Sequence, residues 1–246
     1  MDATYDAAMK LRSAALKAVV GTSSHLAGDG NRTRLNPVAR QSQRVLKLAS
    51  SQPPRNVTIG RDPAFVWYRV AKVGTRSIVK ALHEHDVDFI ADHPYSVRIP
   101  SRLTEGFFRF AFVRDPRSRL VSCWRNKVIE ADRPTEVESH IGLDLEERKS
   151  LRDFGDFVQF VVRQDPANCD IHFRPQTRLV DVDHVDFVGR FESFDRDVHT
   201  VFEQLGIPAE LPHLNRSTST VADPYTPSLL AQVEEFYADD LEAFSY

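Results

Sequence analysis

The sequence has few cysteines, no long apolar run and no strong excess of either charge. Its 246 residues include 2 cysteines, Cys123 and Cys169, which are too few for a disulfide framework or a cysteine-rich zinc site. No stretch approaches the roughly 18 consecutive apolar residues of a membrane-spanning helix. The formal net charge of -3 argues against a strongly basic nucleic-acid-binding protein. These absences favour a soluble, cytoplasmic protein that does not bind nucleic acid.

The charge is distributed unevenly along the chain. Residues 1–60 contain nine Lys or Arg and three Asp or Glu, whereas the remainder is acidic. Gly21 to Pro37 is rich in Gly, Ser, Asn and Thr, as linkers are. We therefore predict a basic N-terminal arm over 1–60, helical or partly flexible, and a single domain over 61–246. A loosely docked arm and an arm that contacts another subunit or an anionic surface are both open, as is a homo-oligomer.

From Ala64 onward, strand patterns alternate with helix patterns. Ala64 to Val70 is rich in aromatic and β-branched residues, and Ile78 to His85 follows with helical spacing. Phe107 to Val113 predicts a second buried strand, and Asp115 and Pro116 are the cap and first residue of a helix. Further strands are predicted at Asp88–Ala91 and Val185–Gly189, and further helices at Phe154–Val162 and Asp195–Leu205. This alternation predicts an α/β fold with a mostly parallel central sheet.

Two predicted strand-to-helix turns carry cations. The first, Lys72 to Ser77, combines a Lys and an Arg with a Gly and two hydroxyl groups, but it lacks the spacing of an ATP-binding loop. The second places Arg114 at a strand end and Ser122 about two helical turns later, where the pair can hold one phosphate. Each turn taken alone also fits a structural role, with Arg114 paired to Asp115 and Ser122 as a packing residue.

Taken together, these segments resemble the Golgi-type carbohydrate sulfotransferases, including the chondroitin, dermatan and uronyl 2-O-sulfotransferases. The resemblance runs through KVGTRS, FRFAFVRDPRSRLVSCWRNKV, DIHFRPQTRLVD and LPHLNRS, and covers roughly Ala64 to Tyr246. It implies a three-layer P-loop nucleotide-kinase-like fold and an enzyme that uses 3′-phosphoadenosine 5′-phosphosulfate (PAPS), releases adenosine 3′,5′-bisphosphate (PAP) and needs no metal. The implied acceptor is a saccharide or another hydroxyl compound. Ala71 and Arg76 depart from the family pattern, which usually has Pro and Thr there.

The resemblance also implies roles for individual residues. By the resemblance, Arg114 with Ser122 would bind the 3′-phosphate. Sulfuryl transfer builds negative charge on the leaving oxygen, and Lys72 is the candidate cation that stabilises it. Arg190 stands where the family usually has Lys, and either helps to bind the nucleotide or pairs with Glu192. The complete set of implied donor-binding residues is Lys72, Val73, Gly74, Thr75, Arg76, Ser77, Arg114, Ser122, Arg190 and Ser217.

A general base must accept the proton of the acceptor hydroxyl, and histidine is the natural side chain for this near neutral pH. His93, which lies between the two donor motifs, is the first candidate, and His172 in DIHFRPQ is the second. An acid, Glu105 or Asp92, is the remaining alternative. The competing function is that of a nucleotide-binding protein or a kinase-like phosphotransferase of related fold.

Overall fold

The structure is a computed structural model that describes residues 3–20, 37–49, 53–92, 95–130, 145–208 and 224–246. These residues form five strands and nine α-helices, so the predicted mixture of strands and helices is confirmed. The strands are β1 (Val57–Asp62), β2 (Phe65–Tyr68), β3 (Asp88–Ala91), β4 (Phe108–Val113) and β5 (Phe187–Arg190). The helices are α1 (Ala3–Val20), α2 (Pro37–Ala49), α3 (Thr75–Glu84), α4 (Pro116–Trp124), α5 (Leu145–Ser150), α6 (Phe154–Val162), α7 (Phe194–Leu205), α8 (Pro227–Phe236) and α9 (Ala238–Phe244).

The five strands form one sheet in the order β3-β1-β2-β4-β5. β4 pairs in parallel with β2 and with β5, whereas β1 is antiparallel to both of its neighbours. The sheet is therefore partly parallel, and the prediction of a mostly parallel sheet is wrong. The reason is the connection between β1 and β2, because Pro63 and Ala64 alone separate the two strands. Two residues are enough for a hairpin, while a parallel pair needs a crossover of a dozen residues or more.

β1 has no counterpart among the predicted strands, and it lies partly within the residues assigned to the N-terminal arm. Val57 and Ile59 are fully buried, and Val57 faces Tyr68 across the β1–β2 pair. Gly60 and the polar residues that end the segment weaken its strand signal in the sequence. The strand is thus stabilised by its position inside the sheet.

The first N-terminal helix packs on this sheet, and the second packs on the first. Leu16 and Val20 of α1 are fully buried members of the main apolar core. Gln43 of α2 donates hydrogen bonds to the carbonyl oxygens of Val19, at 3.0 Å, and Arg98, at 2.9 Å. The described part of the arm therefore contributes to the core, and the division at residue 60 stays a prediction.

Aromatic side chains fill the centre of the sheet. The ring of Phe110 on β4 stacks on Trp67 of β2 at 5.9 Å and meets Phe112 edge-on at 6.3 Å. A second apolar cluster joins α4, α6 and α8 beside the main core. Because β2, β4 and β5 run in parallel, their carboxyl ends lie side by side, and the turns that follow them meet at one edge of the sheet.

Candidate active site

The first cationic turn follows β2 and leads into α3. Lys72 and Gly74 both have left-handed backbone conformations, with φ of 73° and 80°. Gly74 is the N-cap of α3, and no side chain caps this helix end. The hydroxyl of Thr75 donates to the carbonyl oxygen of Val70 at 2.7 Å, which closes the turn. The helix N-terminus in this turn therefore has no carboxylate cap, which is the arrangement that anion-binding turns use.

Arg119 of α4 donates a hydrogen bond to the backbone of this turn. The side chain is 1% exposed, and its guanidinium donates to three backbone carbonyl oxygens: those of Ala71 at 3.1 Å, Ile171 at 3.0 Å and Arg174 at 2.9 Å. These bonds connect the turn to the segment that contains His172. Arg119 was not among the predicted site residues, because its partners are more than 45 residues away in the sequence.

The second cationic turn follows β4 and contacts the first one. The Arg114 guanidinium donates to the hydroxyl of Ser118 at 2.9 Å and to the carbonyl oxygen of Lys72 at 3.4 Å. It also lies 4.3 Å above the ring of Phe191. Ser118 is thus the hydroxyl that Arg114 contacts in this structure, and Ser122 lies one helical turn further along α4. The two predicted turns come together through Arg114.

Gln176 fixes the backbone at Arg114. Its side-chain oxygen accepts from the Arg114 amide at 3.0 Å, and its side-chain nitrogen donates to the Arg114 carbonyl oxygen at 2.8 Å. The Gln176 amide in turn donates to Asp240 of α9 at 2.7 Å. Gln176 and Asp240 are both fully buried, so this chain of hydrogen bonds holds the strand end rigidly. The sequence offered no local signal for either residue.

The electrostatics of Lys72 set it apart from a surface lysine. Burial lowers the pKa of Lys72 to about 8, and the positive charges of Lys127, Arg76 and Arg114 act in the same direction. The ammonium group is therefore poorly solvated and lies in a positive field. Both effects favour a bound anion beside it.

His172 lies in the same electrostatic neighbourhood. Its Nδ1 is 2.7 Å from an oxygen of Asp170, whose carboxylate also accepts from the His172 amide at 2.9 Å. Burial lowers the pKa of His172, and the charges of Lys127 and Lys72 lower it further, against the opposing effect of Asp170. Burial opposes ionisation of Asp170, but its bonds to His172 hold the pKa of this carboxyl below its usual range. The imidazole is thus oriented by a carboxylate and stays neutral at neutral pH.

The remaining candidates for the base lie elsewhere or outside the described residues. His93 falls outside the part of the chain that the structure describes. Asp92 is 3.1 Å from the imidazole of His83, and Glu105 is an exposed residue whose carbonyl oxygen accepts from Arg12. The charge of Lys72 lowers the pKa of His172, which connects this candidate to the first turn.

The remaining donor-binding candidates occupy different surroundings. Val73 is fully buried, so only its backbone faces the turn, whereas Arg76 is exposed. Arg190 at the end of β5 donates to the carbonyl oxygen of Phe244 and lies 4.6 Å from the Tyr246 ring. Ser217 falls outside the described residues.

Glu192 connects the second turn to the carboxyl terminus of the chain. Its carboxylate accepts from the Asp115 amide and from the Tyr246 hydroxyl, both at 2.9 Å. Burial, the negative charge of Glu192 and the hydrogen bond to it raise the pKa of Tyr246. Tyr246 is thus connected through Glu192 to the second turn, which follows the end of β4.

Comparison with known proteins identifies relatives of the chain. The sequence model of the Sulfotransferase family matches residues 55–246. Carbohydrate sulfotransferase 14 of Mus musculus is 31% identical over 167 residues, which are 60% of this chain and 42% of that protein. Carbohydrate sulfotransferase 9 of Homo sapiens is 28% identical over 155 residues, which are 55% of this chain and 33% of that protein. The chain spans less than half the length of these relatives, and no solved structure matches it.

These relatives contradict the prediction of a cytoplasmic location. They are carbohydrate sulfotransferases, which are Golgi-type enzymes and not cytoplasmic ones. The prediction had relied on the lack of a long apolar run, and such an absence does not determine the compartment. Within the described ranges, none of the helices combines the length and apolar character of a membrane span.

Proposed function

The chain belongs to the Sulfotransferase family, and we propose that it transfers a sulfuryl group from PAPS to a hydroxyl group of a saccharide. One observation carries this proposal: Arg114, at the end of β4, contacts the carbonyl oxygen of Lys72 in the turn after β2. Two cationic turns on neighbouring parallel strands thereby form one anion-binding edge. A donor with phosphates at both its 3′ and 5′ positions needs two such groups of cations.

We infer that the two turns divide the donor between them. The uncapped start of α3, with Gly74, Thr75, Arg76 and Ser77, would bind the 5′ end through backbone amides and hydroxyls. Arg114 and Ser122 would bind the 3′-phosphate, with Ser118 orienting the guanidinium. Two strand–turn–helix units of this kind support a three-layer, P-loop nucleotide-kinase-like fold.

The chemical step would be an in-line displacement at sulfur. The bond between sulfur and the 5′-phosphate oxygen breaks as the bond between sulfur and the acceptor oxygen forms, and PAP leaves. Negative charge develops on the oxygen that leaves, where the poorly solvated Lys72 ammonium stabilises it. Water molecules would have to reorient to solvate this charge, whereas a cation that is already in place does not. The preorganised cation therefore lowers the barrier.

We propose His172 as the base that accepts the proton of the acceptor hydroxyl. Asp170 is 2.7 Å from Nδ1, so the Nδ1 proton is held there and the lone pair of the other ring nitrogen is available. The lowered pKa of His172 keeps the imidazole in the neutral form that a base requires. His93 remains the competing candidate. The relatives are carbohydrate sulfotransferases by name, which supports a saccharide as the acceptor.

The function is tested by incubating the purified full chain with radiolabelled PAPS and a panel of saccharides. We expect label on a saccharide and release of PAP. Replacing Lys72 with Ala should lower turnover by about 100-fold or more, while PAP affinity changes much less. Lys80→Ala is the matched control, because Lys80 is an exposed lysine on α3 that pairs with Glu84. Transfer of phosphate from ATP, or no transfer from PAPS, would overturn the proposal.

The pH dependence of kcat/KM for the donor tests the two titrating groups in the free enzyme. The rate should rise with pH as His172 loses its proton, with the rise centred below the ordinary histidine value of about 6.5. It should fall again near pH 8 as Lys72 loses its positive charge. Loss of the rising limb in His172→Ala supports the assignment, whereas its loss in His93→Ala would move the base to His93.

A further inference from the structure

A cavity of about 380 Å³ lies against one face of the sheet. Residues of three neighbouring strands line it: Val57 of β1, Val66 and Tyr68 of β2, and Arg109 of β4. Val57 pairs with Tyr68, and Val66 pairs with Arg109. Paired residues on adjacent strands point to the same face of a sheet, so these four side chains share one face. The volume lies within the range of about 300 to 1,000 Å³ that small-molecule sites occupy.

The cavity is separate from the edge that carries the two cationic turns. Arg109 is the second residue of β4, whereas Arg114 follows the last residue of that strand. At about 3.3 Å per residue, the five steps between them correspond to about 16 Å along the strand. In the part of the chain that the structure describes, neither Arg114 nor any residue of Lys72–Ser77 lines the cavity. The cavity is therefore a second concave site, distinct from the proposed donor-binding edge.

The lining of the cavity has a surplus of positive charge, although the whole chain has a formal net charge of -3. Among the described residues that line it, Asp181 is the one acid, and its carboxylate is 3.3 Å from the Arg55 guanidinium and 3.2 Å from Nδ1 of His184. The arginines of the lining are Arg55, Arg98, Arg102 and Arg109. A concave surface with charge of one sign attracts ions of the opposite sign. The lining therefore favours an anionic ligand.

Arg102 and Arg109 are brought to the same wall of this cavity. Nη2 of Arg109 donates to the carbonyl oxygen of Thr104 at 2.8 Å and lies 3.5 Å from the Thr104 hydroxyl. Thr104 ends the 3-10 turn Ser101–Thr104, which also carries Arg102. Both groups of Thr104 are neutral, so they position the Arg109 guanidinium without offsetting its charge. A guanidinium has five N–H donors, and it can therefore hold a carbonyl oxygen and a bound anion at the same time.

We propose that this cavity binds an acidic sugar residue, whose carboxylate or sulfate group is held by Arg102 and Arg109. Guanidinium groups bind such planar or branched oxyanions through pairs of hydrogen bonds. The side chains of Val57 and Val66 and the ring of Tyr68 provide an apolar surface for the C–H face of the sugar ring. The choice of a sugar as the carrier of the anion rests on the proposed function. Two sources have this chemistry: a free sugar acid, and an acidic residue of the acceptor saccharide that is remote from the reacting hydroxyl.

Calorimetry on the full chain, saturated with PAP to occupy the donor-binding edge, measures the affinity for a disaccharide that contains one hexuronate residue. The neutral control is the same disaccharide with its carboxyl group reduced to an alcohol. We expect the acidic form to bind about tenfold more tightly or better, because its bonds to arginine are charge-assisted. The difference should shrink as the salt concentration rises, since partly exposed charges are screened.

Three variants test the residues that line the cavity. Arg109→Gln should weaken binding of the acidic disaccharide by about tenfold. Arg102→Gln should weaken it by about threefold or more, and this exposed position lets the charge be removed without disturbing the fold. Arg163→Gln, at an exposed position after α6 that does not line the cavity, is the control and should have no effect. PAP affinity should stay within about threefold of the wild-type value in all three.

Equal binding of the acidic and the reduced disaccharide overturns this site, as does binding of neither, or an equal loss in Arg163→Gln. A chain that binds the acidic disaccharide through Arg102 and Arg109 but transfers no sulfuryl group from PAPS overturns the proposed function alone. Kinetics with a longer acidic acceptor distinguish the two sources. A raised KM with unchanged kcat in Arg102→Gln assigns the cavity to a remote residue of the acceptor, whereas an unchanged KM assigns it to a free sugar acid.

Discussion

The two cationic turns are built in different ways, although both join a strand to a helix at the same edge of the sheet. After β4, Asp115 caps α4 by accepting from the Arg117 amide at 2.9 Å, and Pro116 is the first helical residue. After β2, the cap of α3 is Gly74 and no side chain accepts from the helix amides. Both turns are held by distant groups, the first by Arg119 and the second by Gln176. Only the second turn also has a side-chain cap from its own sequence.

Under the proposed function, this difference determines how each turn would bind an anion. A carboxylate at a helix N-terminus occupies the amides that an anion would use. In the second turn Asp115 does so for the Arg117 amide, and in the proposed donor complex Arg114 would supply the positive charge from its side chain. In the first turn no side chain caps the helix, so in the proposed donor complex the first amides of α3 would be left to the ligand. The stabilisation that a cap would provide comes from contacts elsewhere. Changes to the distant groups should therefore damage the first turn more than changes to Asp115 damage the second.

The largest effect on stability is expected from Arg119→Met. The change removes the donor for three carbonyl oxygens at once, and each buried polar group left without a partner costs about 1 to 3 kcal/mol. We expect the free energy of unfolding to fall by about 3 kcal/mol or more, and PAP affinity to fall with it. Chemical denaturation and calorimetry measure the two effects. Arg163→Met, at an exposed position after α6, is the control, and an equal loss in both variants would contradict the role of Arg119.

The next effect separates backbone strain from a tertiary contact. Gly74 and Gly106 have nearly equal φ angles of 80° and 78°, but a Cβ atom on Gly74 would lie 2.5 Å from the Phe194 ring, whereas nothing lies within 4 Å at Gly106. Alanine at either position strains the backbone, because both φ angles are positive. At Gly74 alone, the clash with Phe194 lowers the free energy of unfolding further, by about 1 to 3 kcal/mol. We expect Gly74→Ala to destabilise the fold by that margin more than Gly106→Ala, measured by denaturant unfolding. Equal losses would show that Phe194 moves aside at little cost.

The same contrast explains what the sequence revealed in advance. β2, β4, α3 and α4 were predicted because their signals are local: buried apolar runs, helical spacing and the Asp115–Pro116 start. β1 was missed because its strand character depends on the neighbours that it pairs with. Arg119 and Gln176 were missed because their partners lie about 50 to 60 residues away. Motif spacing predicted Lys72 and Arg114 as site residues. Their proximity to the segment that contains His172 depends on the packing of α4, which the sequence does not reveal.

A smaller effect is expected from Arg114→Ala. This variant tests whether the second turn binds the 3′-phosphate of the donor while the first turn binds its 5′ end. Losing a charge-assisted bond costs about 1.5 to 3 kcal/mol, so PAP affinity should fall about tenfold or more while AMP affinity changes little. Calorimetry with both nucleotides measures this. Ser118→Ala should weaken PAP less, because Ser118 only orients the guanidinium through its 2.9 Å bond. Equal weakening of AMP and PAP by Arg114→Ala would place Arg114 away from the 3′-phosphate.

The smallest effect is expected from Asp115, the side-chain cap of the helix that follows the second turn. Asp115→Ala removes the cap of α4 and should lower the free energy of unfolding by about 1 kcal/mol. Asp115→Asn should retain most of that stability, because asparagine caps a helix as well as aspartate does. The difference in unfolding free energy between the two variants gives the contribution of the cap. The loss that remains in Asp115→Asn gives the contribution of the ion pair between Asp115 and Arg117, whose atoms are 2.9 Å apart.

The control for Asp115 is Asp153→Ala, since Asp153 caps α6 by accepting from the Gly155 and Asp156 amides. Both caps should contribute about the same stability. Because Arg114 is held by Gln176 and Ser118 independently of Asp115, PAP affinity should stay within about threefold of the wild-type value in Asp115→Ala. A loss of PAP affinity as large as that of Arg114→Ala would mean that the position of Arg114 depends on the Asp115 cap.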